Sequence, residues 1–291
     1  MRIQTRTGAF EALEAGADDA PLVLCLHGFP DHPPSFVPLA DRLACAGYHV
    51  VVPWMRGYAP SVASGPYDVH TLASDVIAIA DTLAPCKPVA IVGHDWGAVA
   101  TYAAVARSPE RFSAAVTLAM PHLLAFLENA VRQPAQLLRS WYVAFFQLRG
   151  LSDRVVSAHD FAFVERLWSR WSPGYLPDPA AMRALKACLR QSMPAPLGYY
   201  RAMRRPPRAA RARARSQSGA GSIRVPTLHL CGHDDGCIGP AASRGQERFF
   251  TGPFQSEQLL GVGHFLQLEA PDRVAARVLD WLARHPAREG G

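Results

Sequence analysis

Short continuous hydrophobic runs alternate with amphipathic segments along much of this chain. Five runs predict buried parallel strands, because a strand covered on both faces loses the alternation of apolar and polar side chains. These runs are 22–26, 48–52, 89–92, 112–118 and 227–231. Apolar residues at helical spacing occupy 36–46, 72–83, 99–107 and 271–283. The alternation predicts an α/β fold with a mostly parallel sheet and helices on both faces, and the first twenty residues are suited to an antiparallel edge pair.

The strand pattern stops after residue 118 and resumes only near residue 225. From about 122 to 205 the chain is helical in pattern, rich in Trp, Phe, Leu and Arg, and broken by six prolines. We therefore predict a core domain of residues 1–121 and 223–291, with residues 122–222 inserted as a helical cap. Such an insertion lies at the carboxyl ends of the strands, where open α/β sheets bind their ligands.

The composition is that of a globular protein, with 49% hydrophobic and 19% charged residues among 291. Its apolar runs are shorter than the roughly 18 residues of a transmembrane helix, and no signal peptide is evident, so we expect a cytoplasmic protein that does not bind membranes. The six cysteines form no C-x-x-C pair, which favours reduced thiols over disulfides or a metal site.

The formal net charge of +6 has a local origin. Seven of the 30 basic residues lie in 201–215, which contains no acid, so the rest of the chain has fewer basic residues than its 24 acids. Aromatic residues do not interleave with these arginines. We therefore interpret 201–222 as a solvated connector rather than a surface for an anionic polymer, and we expect no nucleic-acid partner.

The segment Gly93-His94-Asp95-Trp96-Gly97 joins a predicted strand to a predicted helix. Its pattern is that of the G-x-S-x-G nucleophile elbow with Asp95 in place of serine. Aspartate tolerates positive φ, Gly93 and Gly97 allow strand and helix to approach closely, and a helix N-terminus stabilises a carboxylate. The alternative is that Asp95 only caps the helix.

Three further loops supply the partners that such a nucleophile needs. The loop after the first buried strand contains Phe29, whose backbone N–H is predicted to form an oxyanion hole with that of Trp96. His264, in the glycine-rich segment 261–265, is suited to be the base, and Asp234 or Asp235 is suited to orient it. Each feature alone also fits an ordinary turn or a surface side chain. Their chain order of nucleophile, acid and base is that of α/β-hydrolases.

Together these loops resemble those of the α/β-hydrolase superfamily and, within it, of epoxide hydrolases with an aspartate nucleophile. The resemblance rests on the nucleophile segment and on His27-Gly28-Phe29-Pro30, Gly232-His233-Asp234-Asp235, Gly263-His264-Phe265 and Glu269-Ala270-Pro271. Because the family's acid follows this glycine by three residues, the resemblance implies Asp235. The alternative acid position of some relatives is filled by Ala119-Met120-Pro121, which has no carboxylate.

The resemblance also implies two cap tyrosines that bind the epoxide oxygen. Tyr142 matches the first by its spacing to a Phe-Gln-x-x-Gly segment, and Tyr200 matches the second within Leu197-Gly198-Tyr199-Tyr200-Arg201. The adjacent Tyr199 stays open as an alternative, and both tyrosines are also suited to simple aromatic packing. An apolar substrate site is expected from Phe29, Trp96, Trp141 and Phe145.

The implied reaction opens an epoxide to a vicinal diol through an alkyl ester of Asp95. An aspartyl ester has a carbonyl that water activated by His264 can attack, whereas a serine nucleophile would be trapped as an ether. The reaction needs neither a metal nor an organic cofactor, and the expected partner is a small apolar epoxide. Whether the chain forms a homodimer is left open.

A dehalogenase is the main alternative, because it uses the same triad and the same first step. The cap tryptophans Trp141, Trp168 and Trp171 are available to bind a halide. Phe29 and Trp96 replace the Asn and Arg that distinguish two dehalogenase groups. A serine esterase is disfavoured by Asp95, and a pure binding protein by the complete triad.

Overall fold

The computed structural model describes residues 1–203 and 223–287. Eight strands form one sheet, and they are β1 (Arg2–Thr5), β2 (Gly8–Ala15), β3 (Leu22–Leu26), β4 (His49–Pro53), β5 (Val89–His94), β6 (Phe112–Leu118), β7 (Thr227–Gly232) and β8 (Phe254–Leu259). Their order across the sheet is β1-β2-β4-β3-β5-β6-β7-β8. The β1–β2 and β2–β4 pairs are antiparallel and the others are parallel, which confirms the predicted mostly parallel sheet with its edge pair.

Helices cover both faces of the sheet and form an insertion between β6 and β7. The helices of the sheet layers are α1 (Val37–Cys45), α2 (Val69–Leu83), α3 (Trp96–Arg107), α10 (Leu266–Glu269) and α11 (Pro271–Arg284). The inserted helices are α4 (Leu123–Arg132), α5 (Pro134–Arg139), α6 (Trp141–Phe145), α7 (Leu151–Trp171), α8 (Pro179–Ser192) and α9 (Gly198–Ala202). The predicted helical insertion is confirmed, whereas most of the arginine-rich connector lies outside the described residues.

The central strands bury side chains on both faces. Along β3, Leu24 packs into the layer of α2 and α3, and its neighbour Val23 packs into the layer of α1 and α11. Successive strand residues point to opposite faces, so a strand with two buried faces must be hydrophobic throughout. This arrangement explains why the strands appear in the sequence as continuous apolar runs.

The inserted helices contact the loops that follow the carboxyl ends of the strands. Trp168 Nε1 donates a hydrogen bond of 2.8 Å to the carbonyl of Pro30, which follows β3. The carbonyl of Trp171 accepts hydrogen bonds from the N–H groups of Gly236 and His264, which follow β7 and β8. The insertion therefore covers the sheet edge at which the predicted site residues meet. None of the helices within 1–203 and 223–287 is long and apolar enough to cross a membrane.

Candidate active site

Asp95 occupies the turn between β5 and α3 with φ 50° and ψ −114°. This conformation is strained for a residue with a side chain, and it projects the carboxylate away from the strand. A Cβ on Gly28 would lie 2.4 Å from Asp95 Oδ1, and a Cβ on Gly97 would lie 2.2 Å from the carbonyl oxygen of Leu26. Glycine is needed at both positions because the loop after β3 lies against the Asp95 side chain and the first turn of α3 lies against the end of β3.

The Asp95 carboxylate accepts a hydrogen bond of 2.9 Å from the Phe29 N–H. It makes no capping hydrogen bond to the first turn of α3, so its side chain does not act as an ordinary helix cap. Burial raises the pKa of the Asp95 carboxyl, while His264 and the N–H groups of Phe29 and Trp96 act in the opposite direction. Of the two predicted oxyanion donors, the Phe29 N–H is therefore the one that is hydrogen-bonded to this carboxylate.

His264 pairs with Asp235 rather than with Asp234. Its Nδ1 lies 2.8 Å from Asp235 Oδ2, and both side chains are fully buried. The other oxygen of Asp235 accepts hydrogen bonds from the N–H groups of Cys237 and Ile238, at 2.7 and 2.8 Å. Asp234 is exposed. Of the two aspartates that the local pattern leaves open, only Asp235 is held in a position to orient the imidazole.

The second imidazole nitrogen of His264 faces Asp95. Its Nε2 lies 3.8 Å from Asp95 Oδ2 and has no hydrogen-bond partner in the described part of the chain. Burial would lower the pKa of His264, but the charges of Asp235 and Asp95 outweigh burial and raise it. The three side chains thus form an Asp–His–Asp triad that can accept a proton beside the Asp95 carboxylate.

Ser172 and Glu269 brace the loop that carries His264, and sequence reasoning assigned no role to this pair. Ser172 Oγ accepts a hydrogen bond of 2.9 Å from the His264 N–H and donates one of 2.5 Å to Glu269. Glu269 also accepts from the N–H groups of Gly263 and Phe265, at 2.6 and 2.9 Å. Glu269 was visible in the motif after His264, but its cap partner is 97 residues away, so no local signal identifies Ser172.

The two predicted tyrosines lie together beside the triad. The Tyr142 and Tyr200 rings are 5.7 Å apart, and Tyr200 packs edge-on against Trp96 at 5.1 Å. Tyr200 Oη is buried without a hydrogen-bond partner among the described residues, whereas the Tyr199 hydroxyl donates to the carbonyl of Arg56. Tyr199 is therefore engaged in joining the cap to the core, and Tyr200 is the member of the pair with an available donor.

Burial raises the pKa values of the Tyr142 and Tyr200 hydroxyls well above the usual value, and the nearby Asp95 charge raises them further. Both hydroxyls consequently stay protonated at neutral pH. A protonated phenol can donate a hydrogen bond to an oxygen bound between it and Asp95.

The aromatic lining of the site differs from the expected one in the cap. Phe29 and Trp96 pack against Tyr200, as expected for residues that line the site. Trp141 is 40% exposed and, like the half-buried Phe145, joins a cluster with Phe163. Phe146 instead contacts both Phe29 and Tyr200, with ring distances of 5.6 and 5.0 Å. The hydrophobic pattern of the sequence did not predict these contacts of Phe146, because the buried face of a short helix cannot be assigned from so few residues.

Two groups of side chains bring possible metal ligands within 4.8 Å of one another in the described ranges, Asp235–Cys237–His264 and Glu14–Asp18–His49. In the first group, the hydrogen bond between Asp235 and His264 already uses one ligand atom of each residue. In the second, both acids are exposed. We assign neither group to a metal.

Comparison with known proteins identifies the fold family of the chain. A family model described as alpha/beta hydrolase fold matches residues 21–271. Epoxide hydrolase A of Mycobacterium tuberculosis (strain ATCC 25618 / H37Rv) is 28% identical over an alignment of 318 residues, which covers 96% of each chain. Epoxide hydrolase 3 of Xenopus tropicalis is 26% identical over 283 residues, which cover 94% of this chain and 74% of the relative.

Solved structures have the same architecture. Epoxide Hydrolase A from Mycobacterium thermoresistibile has a TM-score of 0.83 at 25% identity, covering 100% of this chain and 99% of its own. Bacillus megaterium epoxide hydrolase, solved in complex with an inhibitor, also has a TM-score of 0.83, at 21% identity and with 97% and 100% coverage. At that identity the likeness concerns the fold alone. The chain belongs to the α/β hydrolase fold family, and the two relatives named above, which it matches over nearly its whole length, are epoxide hydrolases.

Proposed function

We propose that this protein is an epoxide hydrolase that converts an apolar epoxide to a vicinal diol through a covalent ester of Asp95. The observation that carries the proposal is the position of a buried carboxylate at a strained turn, 3.8 Å from the imidazole of an Asp–His pair. A carboxylate nucleophile beside a base is suited to substitution at saturated carbon followed by hydrolysis of the resulting ester.

In the first step, a carboxylate oxygen of Asp95 attacks an epoxide carbon and the C–O bond of the ring breaks. Tyr142 and Tyr200 hydrogen-bond the epoxide oxygen, and one of them transfers its proton to the departing alkoxide. Their raised pKa values keep the donors protonated until the alkoxide, a much stronger base, develops. The products of this step are a hydroxyalkyl ester of Asp95 and a tyrosinate.

In the second step, His264 takes a proton from water, which attacks the ester carbonyl. The N–H groups of Phe29 and Trp96 stabilise the oxyanion. Esterification removes the Asp95 charge that helps to raise the pKa of His264, so this pKa falls when a neutral imidazole is required. When the tetrahedral intermediate collapses, the C–O bond to the substrate breaks, and the departing diol oxygen takes the proton of the newly added hydroxyl, which leaves Asp95 as a carboxylate. The proton on His264 returns through solvent to the tyrosinate.

The site favours a small apolar substrate. The rings of Phe29, Trp96, Phe146 and Trp171 surround the catalytic groups, and all four residues are at most 5% exposed. Such surroundings exclude water during ring opening and strengthen the electrostatic interactions of Asp95 and His264. We propose that residues 122–222, as the cap, supply most of the substrate contacts.

Dehalogenation remains the alternative, because it begins with the same attack by Asp95. A cap tryptophan that binds halide must have a free indole N–H beside the site. That of Trp168 is bonded to the Pro30 carbonyl, and Trp141 is 40% exposed. Trp171, in contrast, lies beside Tyr142 and His264 and is the candidate that dehalogenation would use. Two tyrosine hydroxyls are better suited to an oxygen that needs a proton than to a halide that leaves as a stable anion. These contacts favour epoxide hydrolysis.

Trapping of the ester tests the proposal. His264→Gln, incubated with a panel of aryl and alkyl epoxides, should gain the mass of one epoxide on Asp95 and form little diol. Asp95→Ala should form neither adduct nor diol. His233→Gln, which changes an exposed histidine on a neighbouring loop, is the matched control and should behave as wild type. Full diol formation by Asp95→Ala, or halide release from haloalkanes without any epoxide turnover, would contradict the proposal.

A further inference from the structure

Cys237 is a fully buried thiol beside the site, and the proposed mechanism does not use it. Its Sγ lies 3.2 Å from Tyr142 Oη, within hydrogen-bond range for sulfur. Both backbone polar groups of Cys237 are hydrogen-bonded. Its N–H donates to Asp235, and its carbonyl accepts a hydrogen bond of 2.9 Å from Gln136. The thiol therefore has a defined position next to one of the two tyrosines.

The two tyrosine hydroxyls are not equivalent. Tyr200 Oη has no partner among the residues that the structure describes, whereas Tyr142 Oη has the thiol of Cys237. A free phenol hydroxyl can rotate, so its proton must be oriented when the substrate binds. A hydroxyl that accepts a hydrogen bond from a fixed donor has fewer orientations, and its own proton is left for another acceptor.

We propose, as an extension of the epoxide hydrolase function proposed above, that Cys237 is a positioning residue whose S–H donates to Tyr142 Oη and directs the Tyr142 proton towards the epoxide oxygen. Tyr142 and Cys237 then form a two-member donor chain that ends on the substrate, while Tyr200 acts alone.

The direction of the hydrogen bond follows from the chemistry of the two groups. Sulfur is a weak acceptor, so Tyr142 gives its single proton to an epoxide oxygen when one is present. Burial and the charges of Asp235 and Asp95 raise the pKa of the Cys237 thiol, which keeps its S–H available. Donation into Tyr142 Oη polarises the Tyr142 O–H bond, because consecutive hydrogen bonds strengthen one another. The thiol keeps its proton, and the proton that reaches the alkoxide comes from a tyrosine.

The test measures ring opening and ester hydrolysis separately, by rapid quench and mass analysis of the Asp95 adduct formed from an aryl epoxide. The variants are Cys237→Ala, Cys237→Ser, Tyr142→Phe and the double variant Cys237→Ala/Tyr142→Phe. Cys231→Ala is the matched control, because Cys231 is also buried but its Sγ contacts the Glu257 carbonyl outside the site.

Loss of one neutral hydrogen bond should slow ring opening in Cys237→Ala by about fivefold and leave ester hydrolysis unchanged. Cys237→Ser keeps a donor and should stay within about twofold of wild type. In the Tyr142→Phe background, Cys237→Ala should have no further effect, since the hydroxyl that it positions is absent.

Three results would overturn the inference: an equal loss in the Tyr142→Phe background, a loss confined to ester hydrolysis, or no loss in Cys237→Ala. The first result would indicate packing, and the second an effect on Asp235. If Cys237→Ala does not fold, Cys237→Ser is compared with Cys237→Val. The valine variant has no donor and should open the ring more slowly than the serine variant, and equal rates would overturn the inference. Wild type in the same assay separates the two proposals, because absence of any Asp95 adduct would reject the epoxide hydrolase function itself.

Discussion

His264 Nε2 lies 3.8 Å from Asp95 Oδ2, a distance too long for a hydrogen bond. The imidazole therefore faces the proposed nucleophile without binding it, which leaves the Asp95 carboxylate free for the attack that we propose. A water molecule between the two groups would be close both to the base and to the carbonyl of an Asp95 ester. The separation suits a reaction in which Asp95 acts first and His264 second.

Replacement of Asp235 should impair the second step selectively. Asp235→Asn removes the charge that orients His264 and raises its pKa, so ester hydrolysis should slow by roughly 10³-fold while ring opening changes little. Single-turnover kinetics should then show that the adduct accumulates. Asp234→Asn changes the exposed neighbour and should leave both steps unchanged; a similar effect of both variants would contradict the assignment of Asp235.

The adjacent tyrosines should respond differently to loss of their hydroxyls. Tyr200→Phe removes a donor to the epoxide oxygen and should slow ring opening by about 10²-fold. Tyr199→Phe loses its hydrogen bond to the Arg56 carbonyl, so it should lower the free energy of unfolding by roughly 1 kcal/mol with little effect on turnover. Rapid-quench kinetics and denaturant unfolding distinguish the two outcomes, and a reversed pattern would exchange the two assignments.

The pH dependence of turnover should have an acidic limb and no early alkaline limb. Burial raises the pKa of Asp95, and the charges of Asp235 and Asp95 outweigh burial to raise that of His264. Both groups act in their deprotonated forms, so kcat/KM should fall as the pH decreases through the raised pKa of Asp95 in the free enzyme. The acidic fall of kcat should lie at the lower pKa that His264 has beside the neutral ester, because the Asp95 charge is then absent. The tyrosines act as acids and their pKa values are raised, so activity should persist to about pH 10. An alkaline decline near pH 8 in a stably folded enzyme would contradict the role of the tyrosines.

The glycine before the oxyanion donor should be irreplaceable. Gly28→Ala would place a Cβ 2.4 Å from Asp95 Oδ1 and displace the carboxylate, so ring opening should slow by about 10²-fold or more. Gly174→Ala is the control, because its added Cβ would have no atom of the described residues within 4 Å beyond its chain neighbours. Measurement of both adduct formation and thermal unfolding shows whether the loss is catalytic. Normal ring opening in Gly28→Ala would mean that the carboxylate can shift without harm.

Local patterns predicted the architecture well because its causes are local. A strand buried on both faces must be apolar throughout, and a strained turn between strand and helix must have small neighbours, so both leave a mark on the sequence. The start of α3 was less accurate, since the predicted helix began at residue 99 and the observed one begins at Trp96. Trp96, Gly97 and Ala98 serve the turn as well as the helix, which obscures the apolar periodicity.

Choices between adjacent residues required the tertiary structure. Asp234 and Asp235 share one loop, but the loop conformation turns only Asp235 towards His264. In the cap, Phe146 rather than Phe145 reaches Phe29, because the packing of several short helices sets which face is buried.

The sequence by itself determined the sheet and the insertion, and it predicted the chain order of the proposed nucleophile, acid and base, since these follow from periodicity and turn chemistry within short segments. Only the tertiary structure decided which side chains of the cap contact the loops of the core. Ser172 bonds to Glu269 and Tyr142 contacts Cys237 in this way. Contacts between segments some hundred residues apart depend on how whole helices pack, and no local pattern records that packing.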